Sequence, residues 1–100
     1  MQKEHILSYL SAIKSNLLQN GIERIGLFGS FAKDKADLYS DIDIVIKTTP
    51  GFIKKFDGVQ GFLFLEDLRN NLENKFRRRV DICDESGLKH KFIIKDAIYV

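Results

Sequence analysis

Two aspartates separated by one isoleucine, Asp41 and Asp43, are the residues best suited to chemistry in this sequence. They open the run Asp-Ile-Asp-Ile-Val-Ile-Lys, whose apolar character predicts a central β-strand. Side chains two positions apart on a strand point to the same face, with Cα atoms about 6–7 Å apart. Because two carboxylates held so close repel each other, a divalent cation such as Mg²⁺ would compensate them. The alternative is a solvated acidic face opposite the apolar one.

A glycine–serine turn, Gly29-Ser30, follows another predicted strand, Ile22 to Phe28. Glycine lets a phosphate approach the backbone N–H groups closely, and serine adds a hydroxyl donor. Lys33 follows soon after the turn and would screen phosphate charge. The alternative is an ordinary strand-to-helix turn in which the Ser30 side chain caps the helix.

A third acid, Asp81, lies within the short run Arg79 to Cys83, which predicts a further strand. If this strand lies beside the strand of Asp41 and Asp43, three carboxylates could hold two cations, as in in-line phosphoryl or nucleotidyl transfer. The alternative is a surface acid paired with an arginine of residues 77–79. We interpret that arginine run as the solvated end of a helix rather than as an RNA contact.

Apolar periodicity predicts the elements that position these residues. It indicates a first helix over residues 2–20, a short helix or turn over 31–36, a break at 48–51, a second long helix up to residue 76, and a final helix from 88 to about 98. The first helix would bury Ile6, Leu10, Ile13 and Leu17, with Leu7 and Leu18 beside them; the second would bury Phe62, Leu65, Leu68, Leu72 and Phe76; the last would bury Phe92, Ala97 and Ile98. This order favours an α/β or α+β domain in which helices cover one face of a small three-stranded sheet.

Composition excludes several classes of protein. The chain has 100 residues, 44% of them apolar and 30% charged, with a net charge of +2. These values exclude disorder, give no support for a nucleic-acid binder, and predict one domain over residues 1–100. A single cysteine, Cys83, excludes a disulfide scaffold and is expected to pack in the core, whereas His5 and His90 are expected at the surface. No stretch has the length of a membrane span or signal peptide, so we expect a soluble, cytoplasmic protein.

The acidic pair and the glycine–serine turn together resemble a known signature. Gly29-Ser30 is followed by ten residues and then by Asp41-x-Asp43, with Ser40 just before the acids. This pattern resembles that of the polymerase-β-type nucleotidyltransferases. The short chain and the later strand of Asp81 are most similar to the minimal nucleotidyltransferases, which include the antitoxins of HEPN/minimal-nucleotidyltransferase toxin–antitoxin pairs. The fold implied is a short mixed sheet of three to four strands flanked by helices.

The chain departs from the family pattern after Ala32. The family often has arginine and then glycine there, whereas this chain has Lys33-Asp34. Lysine keeps the positive charge but loses the two-pronged hydrogen bonding of arginine to phosphate. Asp34 adds a negative charge that would weaken nucleotide binding.

The resemblance implies transfer of a nucleoside monophosphate, AMP from ATP, to a hydroxyl group with release of pyrophosphate. Its catalytic metal ligands, for two Mg²⁺ ions, would be Asp41, Asp43 and Asp81, and its nucleotide-binding residues Gly29, Ser30, Lys33 and Ser40.

The partner implied is a small helical HEPN-type protein, which supplies the acceptor surface that 100 residues leave no room for. Phenylalanines of the 52–64 region or the last helix would contact it, and no membrane or direct nucleic-acid contact is expected. The alternative is a non-catalytic antitoxin with a vestigial nucleotide site. The sequence is compatible with either a homo-oligomer or a hetero-oligomer.

Overall fold

The computed structural model describes residues 1–87 and 96–100, in which helices and strands alternate along the chain. In order these are α1 (Lys3–Gln19), β1 (Ile22–Phe28), α2 (Gly29–Ala32), β2 (Ile42–Thr48), α3 (Pro50–Lys55), α4 (Gly58–Phe76), β3 (Val80–Asp84), a 3-10 turn (Glu85–Gly87) and β4 (Ile98–Tyr99).

The four described strands form one mixed sheet in the order β3-β2-β1-β4. Strand β1 runs antiparallel to β2 and to β4, whereas β2 and β3 are parallel. The mixed sheet flanked by helices is confirmed, and a fourth strand joins the three that periodicity predicts. That strand, at Ile98–Tyr99, shows that the predicted last helix does not extend to residue 98. Ala97, also predicted to lie in that helix, is half-buried and in neither helix nor strand, and residues 88–95, with His90 and Phe92, lie outside the described residues.

The first helix packs an apolar stripe against the sheet. Ile6, Leu10 and Leu17 are buried, as the periodicity predicts. The prediction for Leu18 is wrong: it is 49% exposed, because it lies about 100° around the helix from Leu17. The helix stops where expected, since Gly21 adopts a φ of +89° that side-chain-bearing residues rarely reach.

The middle of the chain differs most from the predicted elements. The predicted break at 48–51 does end β2, whose last residue is the buried Thr48, but Pro50 and Gly51 already begin the helix α3. Proline suits the first helical position, where an N–H would have no partner in the helix. Helix α4 begins at Gly58, and the Asp57 carboxylate accepts from the Gln60 N–H at 2.9 Å.

Only part of the predicted α4 stripe is buried. Leu68, Leu72 and Phe76 are buried and Leu65 is half-buried, but Phe62 is 63% exposed, contrary to prediction. The buried residues join the core below the sheet. Phe62 lies one turn before the part of α4 that packs on this core, and it faces solvent.

Alternation along β2 decides which side chains face the helices. Ile42, Ile44 and Ile46 are fully buried in the core shared with α1 and α4. Asp43 lies between two of them and therefore points to the opposite face. The helices thus cover one face of the sheet and leave the acids on the other.

No helix in the part of the chain that the structure describes is both long enough and apolar enough to cross a membrane.

Candidate active site

The three predicted acids lie at the same end of the sheet. Asp43 and Asp81 are direct neighbours in the parallel pairing of β2 with β3. Paired residues on adjacent strands share a face, with their backbones about 4.8 Å apart. Asp41 lies two positions before Asp43, at the entrance to β2. The structure therefore places Asp81 on the same face as Asp43, as the three-acid prediction requires.

The carboxyl group of Asp43 carries the electrostatic cost of this arrangement. Burial raises its pKa above the ordinary value of 3.8, and the negative charges of Asp81 and then Asp41 raise it further. Among residues 1–87 and 96–100, none of the three acids forms an ion pair. The alternative that Asp81 pairs with a neighbouring arginine is therefore not what these residues show.

The acids fit a divalent cation in their chemistry. Carboxylate oxygens are the ligands that Mg²⁺ prefers, and a bound cation reverses a pKa rise caused by neighbouring negative charges. Within the described residues, no three Asp, Glu, His or Cys side chains form a complete ligand set in advance. The group would thus be completed by a cation and the oxygens of a bound substrate.

Gly29 begins α2 and lies directly against Asp43. Its φ is +75°, and a Cβ there would overlap the Asp43 carboxylate. The two residues meet because Phe28, the residue before the glycine, pairs with Asp43 across β1 and β2. Glycine is therefore required here by the acid itself, in addition to any phosphate.

Two of the other predicted nucleotide-binding residues, Ser30 and Lys33, belong to or follow α2, whereas Ser40 lies in the loop before β2. Ser30 is half-buried as the second residue of α2; the capping position is Phe28, so the alternative that Ser30 caps the helix is wrong. Lys33 is exposed, with its Nζ 3.8 Å from an Asp96 carboxylate oxygen. The Ser40 hydroxyl accepts from the Asp37 N–H at 2.9 Å.

The departure at Lys33-Asp34 is partly compensated within the fold. The Asp34 carboxylate accepts a hydrogen bond from Lys3 Nζ at 2.9 Å, so its charge is paired across the start of α1. Pairing reduces the repulsion that a phosphate at the neighbouring turn would meet.

Sequence reasoning missed Arg78. Its neighbours Arg77 and Arg79 are exposed, as predicted, but Arg78 is half-buried and donates to backbone carbonyls of residues 37, 38 and 40. One pattern in the sequence could have indicated this position. Arg78 lies two residues before the buried Val80, and residues two apart on an extended segment point to the same side.

The predictions for the burial of His5 and Cys83 have different outcomes. His5 is exposed, as predicted. Cys83 is half-buried on the face that carries the acids rather than deep in the core, and burial raises the pKa of its thiol. A raised pKa keeps a thiol protonated and unreactive near neutral pH.

The chain resembles proteins of one kind along nearly its whole length. The family of the nucleotidyltransferase domain matches residues 9–99. The protein adenylyltransferase MntA of Thermococcus cleftensis is 32% identical over 101 residues, which cover 97% of this chain and 94% of that protein.

Two solved structures share the fold. One, provisionally described as a minimal nucleotidyltransferase, is 28% identical, with a TM-score of 0.72 over 98% of this chain and 95% of that chain. The other, a toxin–antitoxin crystal structure with AMP-PNP, is 20% identical, with a TM-score of 0.63 over 90% of this chain and 70% of that chain. The second similarity concerns the fold alone.

Proposed function

The chain belongs to the nucleotidyltransferase domain family, and from this premise we propose that it transfers AMP from ATP to a hydroxyl group of a partner protein. In this reaction the hydroxyl oxygen bonds to the α-phosphorus of ATP. The bond from that phosphorus to the bridging oxygen breaks, and pyrophosphate leaves. Little covalent chemistry falls to the protein, so positioning and neutralisation of charge carry the catalysis.

The acids and the turn divide the work. Asp41 and Asp43 would hold Mg²⁺, with Asp81 beside them to accept the proton that the attacking hydroxyl loses. Gly29 and Ser30 would bind the triphosphate through the turn, with Lys33 and Ser40 next to it. When bound, the cation neutralises charge on the phosphate oxygens and orients them for attack.

The observation that carries this proposal is the pairing of Asp43 with Asp81 across β2 and β3, opposite the core. A half-buried carboxylate, Asp43, in register with the exposed carboxylate of Asp81 and two residues from that of Asp41, is unfavourable for a sheet that serves structure alone. This arrangement is favourable where a cation and a polyphosphate bind together. The family match, over residues 9–99, supports the same chemistry.

The acceptor is the part of the proposal that rests most on relatives. The Thermococcus relative is a protein adenylyltransferase, and the resemblance to minimal nucleotidyltransferases points to a helical HEPN toxin. A nucleotide placed near the ribonuclease site of such a toxin adds bulk and negative charge where RNA phosphates enter. Repulsion and blockage would then inactivate the toxin.

Co-expression with the partner tests the proposal. We expect intact-mass analysis to show the partner heavier by one or more AMP units, and Asp41→Asn to abolish this increase. Asp67→Asn is the matched control, because Asp67 is an exposed aspartate of α4 outside the acid group. A partner that stays unmodified yet is still neutralised by the Asp41→Asn protein would instead support a non-catalytic antitoxin.

A further inference from the structure

We infer that Arg78 is a positioning residue, which holds the segment entering the acid site so that Asp41 stays beside Asp43 and Asp81. This inference rests on the proposed function of those acids. The segment concerned is the loop of residues 37–40, which we call the entry loop because it leads directly into Asp41.

The contacts of Arg78 with the entry loop are to its backbone. One terminal nitrogen, Nη1, donates to the carbonyl oxygens of Asp37 at 3.2 Å, Leu38 at 3.3 Å and Ser40 at 3.0 Å. Hydrogen bonds from a charged donor are stronger than those between neutral groups. Because the bonds go to carbonyls, they constrain the path of the chain whatever the side chains of the loop are.

Among residues 1–87 and 96–100, the side-chain hydrogen bonds from outside the entry loop to it all come from Arg78. The loop's own bonds are local: the Asp37 carboxylate accepts from the Tyr39 N–H at 2.8 Å and from the Ser40 hydroxyl at 3.2 Å. The side chains of Leu38 and Tyr39 are 83% and 90% exposed, so neither packs on the core. A loop held mainly by one side chain depends on that side chain for its position.

Arg78 also contacts the segment that carries the glycine–serine turn. Its guanidinium carbon lies 5.2 Å from the centre of the Phe31 ring, a cation–π geometry. Phe31 is buried in α2, two residues after Gly29. Arg78 itself precedes Asp81 by three residues, and the Ile42 N–H donates to the Arg79 carbonyl at 2.9 Å. One side chain therefore links the three segments from which the proposed site is built.

Loss of the Arg78 side chain would weaken the binding of ligands that require the three acids to lie together. A site held in its binding geometry in advance loses less conformational freedom when ligand binds. Without Arg78, Asp41 would have to be ordered at the moment of binding. We therefore expect the Mg²⁺-dependent part of nucleotide affinity to fall, and affinity measured without the metal to change little.

The test compares Arg78→Met with Arg79→Met in calorimetric titrations with a non-hydrolysable ATP analogue, with and without Mg²⁺. Methionine keeps an apolar stem against Phe31 but donates no hydrogen bonds. We expect affinity in Mg²⁺ to fall about tenfold or more for Arg78→Met and less than twofold for Arg79→Met. Arg78→Lys should recover part of the loss, because all three bonds leave from one nitrogen. Equal Mg²⁺-dependent affinity in Arg78→Met and Arg79→Met would overturn the inference.

Hydrogen exchange separates this inference from the function it rests on. If the wild-type protein does not bind the analogue, the proposed function fails, but amide exchange over residues 38–41 still tests Arg78. We expect faster exchange there in Arg78→Met than in Arg79→Met, and equal rates would contradict the link. If Arg78→Met does not fold, Arg78→Gln replaces it in both measurements, with the same outcomes deciding.

Discussion

At the scale of single residues, the sheet keeps a carboxylate where it is unfavourable. The pKa of Asp43 is raised by burial first and by the charges of Asp81 and Asp41 second. The folded protein therefore holds this proton more tightly than the unfolded chain does. The contribution of Asp43 to stability is therefore largest below its ordinary pKa of 3.8 and falls as the pH rises through the raised pKa.

Asp43→Asn removes that charge and should separate stability from activity. We expect the melting temperature at pH 7 to rise by a few degrees and AMP transfer to fall about 100-fold or more. In thermal scans from pH 3 to 7, the melting temperature of Asp43→Asn relative to wild type should increase with pH, because only the wild-type protein ionises at this position. Mg²⁺ with an ATP analogue should stabilise the wild-type protein but not the variant. A melting temperature lowered at pH 7 would show that the Asp43 carboxylate stabilises the fold.

Gly29 provides a second prediction at this scale. Gly29→Ala forces a side chain into positive φ and against the Asp43 carboxylate, so we expect a loss of about 1–2 kcal/mol in unfolding free energy. Gly58→Ala is the matched control, because a Cβ at that first residue of α4 meets no atom within 4 Å. Urea denaturation measures both, and a Gly29→Ala protein as stable as Gly58→Ala would contradict the close approach.

At the scale of elements, the shortest strand depends on side chains. Strand β4 pairs with β1 at Gly26 and Leu27, and the following Val100 N–H donates to the Ile25 carbonyl at 3.1 Å. Its Tyr99 hydroxyl donates to the Glu85 carboxylate at 2.7 Å, and Arg24 binds the same carboxylate while lying over the tyrosine ring. Burial opposes ionisation of Glu85, but these hydrogen bonds prevail and lower its pKa. The cluster thus ties β1, β4 and the turn after β3 together, away from the acid end.

Tyr99→Phe tests how much this cluster holds the strand. We expect a loss of about 1 kcal/mol in unfolding free energy at pH 7, the scale of one hydrogen bond. Burial and the bond to Glu85 raise the pKa of Tyr99 from 10.0 to about 12. The stability it adds is therefore complete below pH 10 and is lost as the pH rises through about 12.

Urea denaturation at pH 7, 9 and 11 measures this dependence, and the difference between wild type and Tyr99→Phe should shrink at pH 11. Tyr39→Phe should be silent at every pH, because Tyr39 is exposed in the entry loop. A Tyr99→Phe protein with wild-type stability would show that backbone pairing alone holds β4.

At the scale of the whole molecule, the acids lie at the start of β2, whereas the exposed apolar side chains of α3 and α4 follow the end of that strand. Asp43 is near the start of β2, whereas Thr48 ends that strand and leads into α3. Asp43 and Thr48 are five residues apart along β2, which corresponds to about 16 Å. Beyond Thr48, helices α3 and α4 carry four exposed apolar side chains, which we call the α3–α4 apolar patch: Ile53, Val59, Phe62 and Leu63. A partner bound there must extend at least a strand length to present a hydroxyl to the acids.

If the partner binds through residues 52–64, as predicted, the exposed side chains available for the contact are those of the α3–α4 apolar patch. Phe52, Phe56 and Phe64 pack on one another with ring centres 5.0–5.7 Å apart, so they serve the fold. Phe62 is the exposed phenylalanine of this region. We expect Phe62→Ala to weaken partner binding about tenfold or more with an unchanged melting temperature. Leu18→Ala, on an exposed position of α1, is the control, and undiminished binding by Phe62→Ala would place the partner elsewhere.

The sequence by itself determined what depends on neighbours along the chain. Strand β1 runs from Ile22 to Phe28 as predicted, and α1 differs from its predicted bounds by one residue at each end. The orientation of Asp43 away from the buried Ile42 and Ile44 also follows from local alternation, since a strand repeats every two residues. Local reasoning placed the end of β2 at 48–51 but missed α3, because the proline that marks the end of the strand also begins the next helix.

Tertiary structure alone decided which distant residues meet. The register that sets Asp81 beside Asp43 depends on the crossover through α4, and strand periodicity carries no information about register with a distant strand. For the same reason, the approach of Gly29 to Asp43 follows from the pairing of β1 with β2. The reach of Arg78 to the entry loop crosses about forty positions of sequence. Periodicity is a property of neighbouring residues, whereas a site is a property of segments that folding brings together.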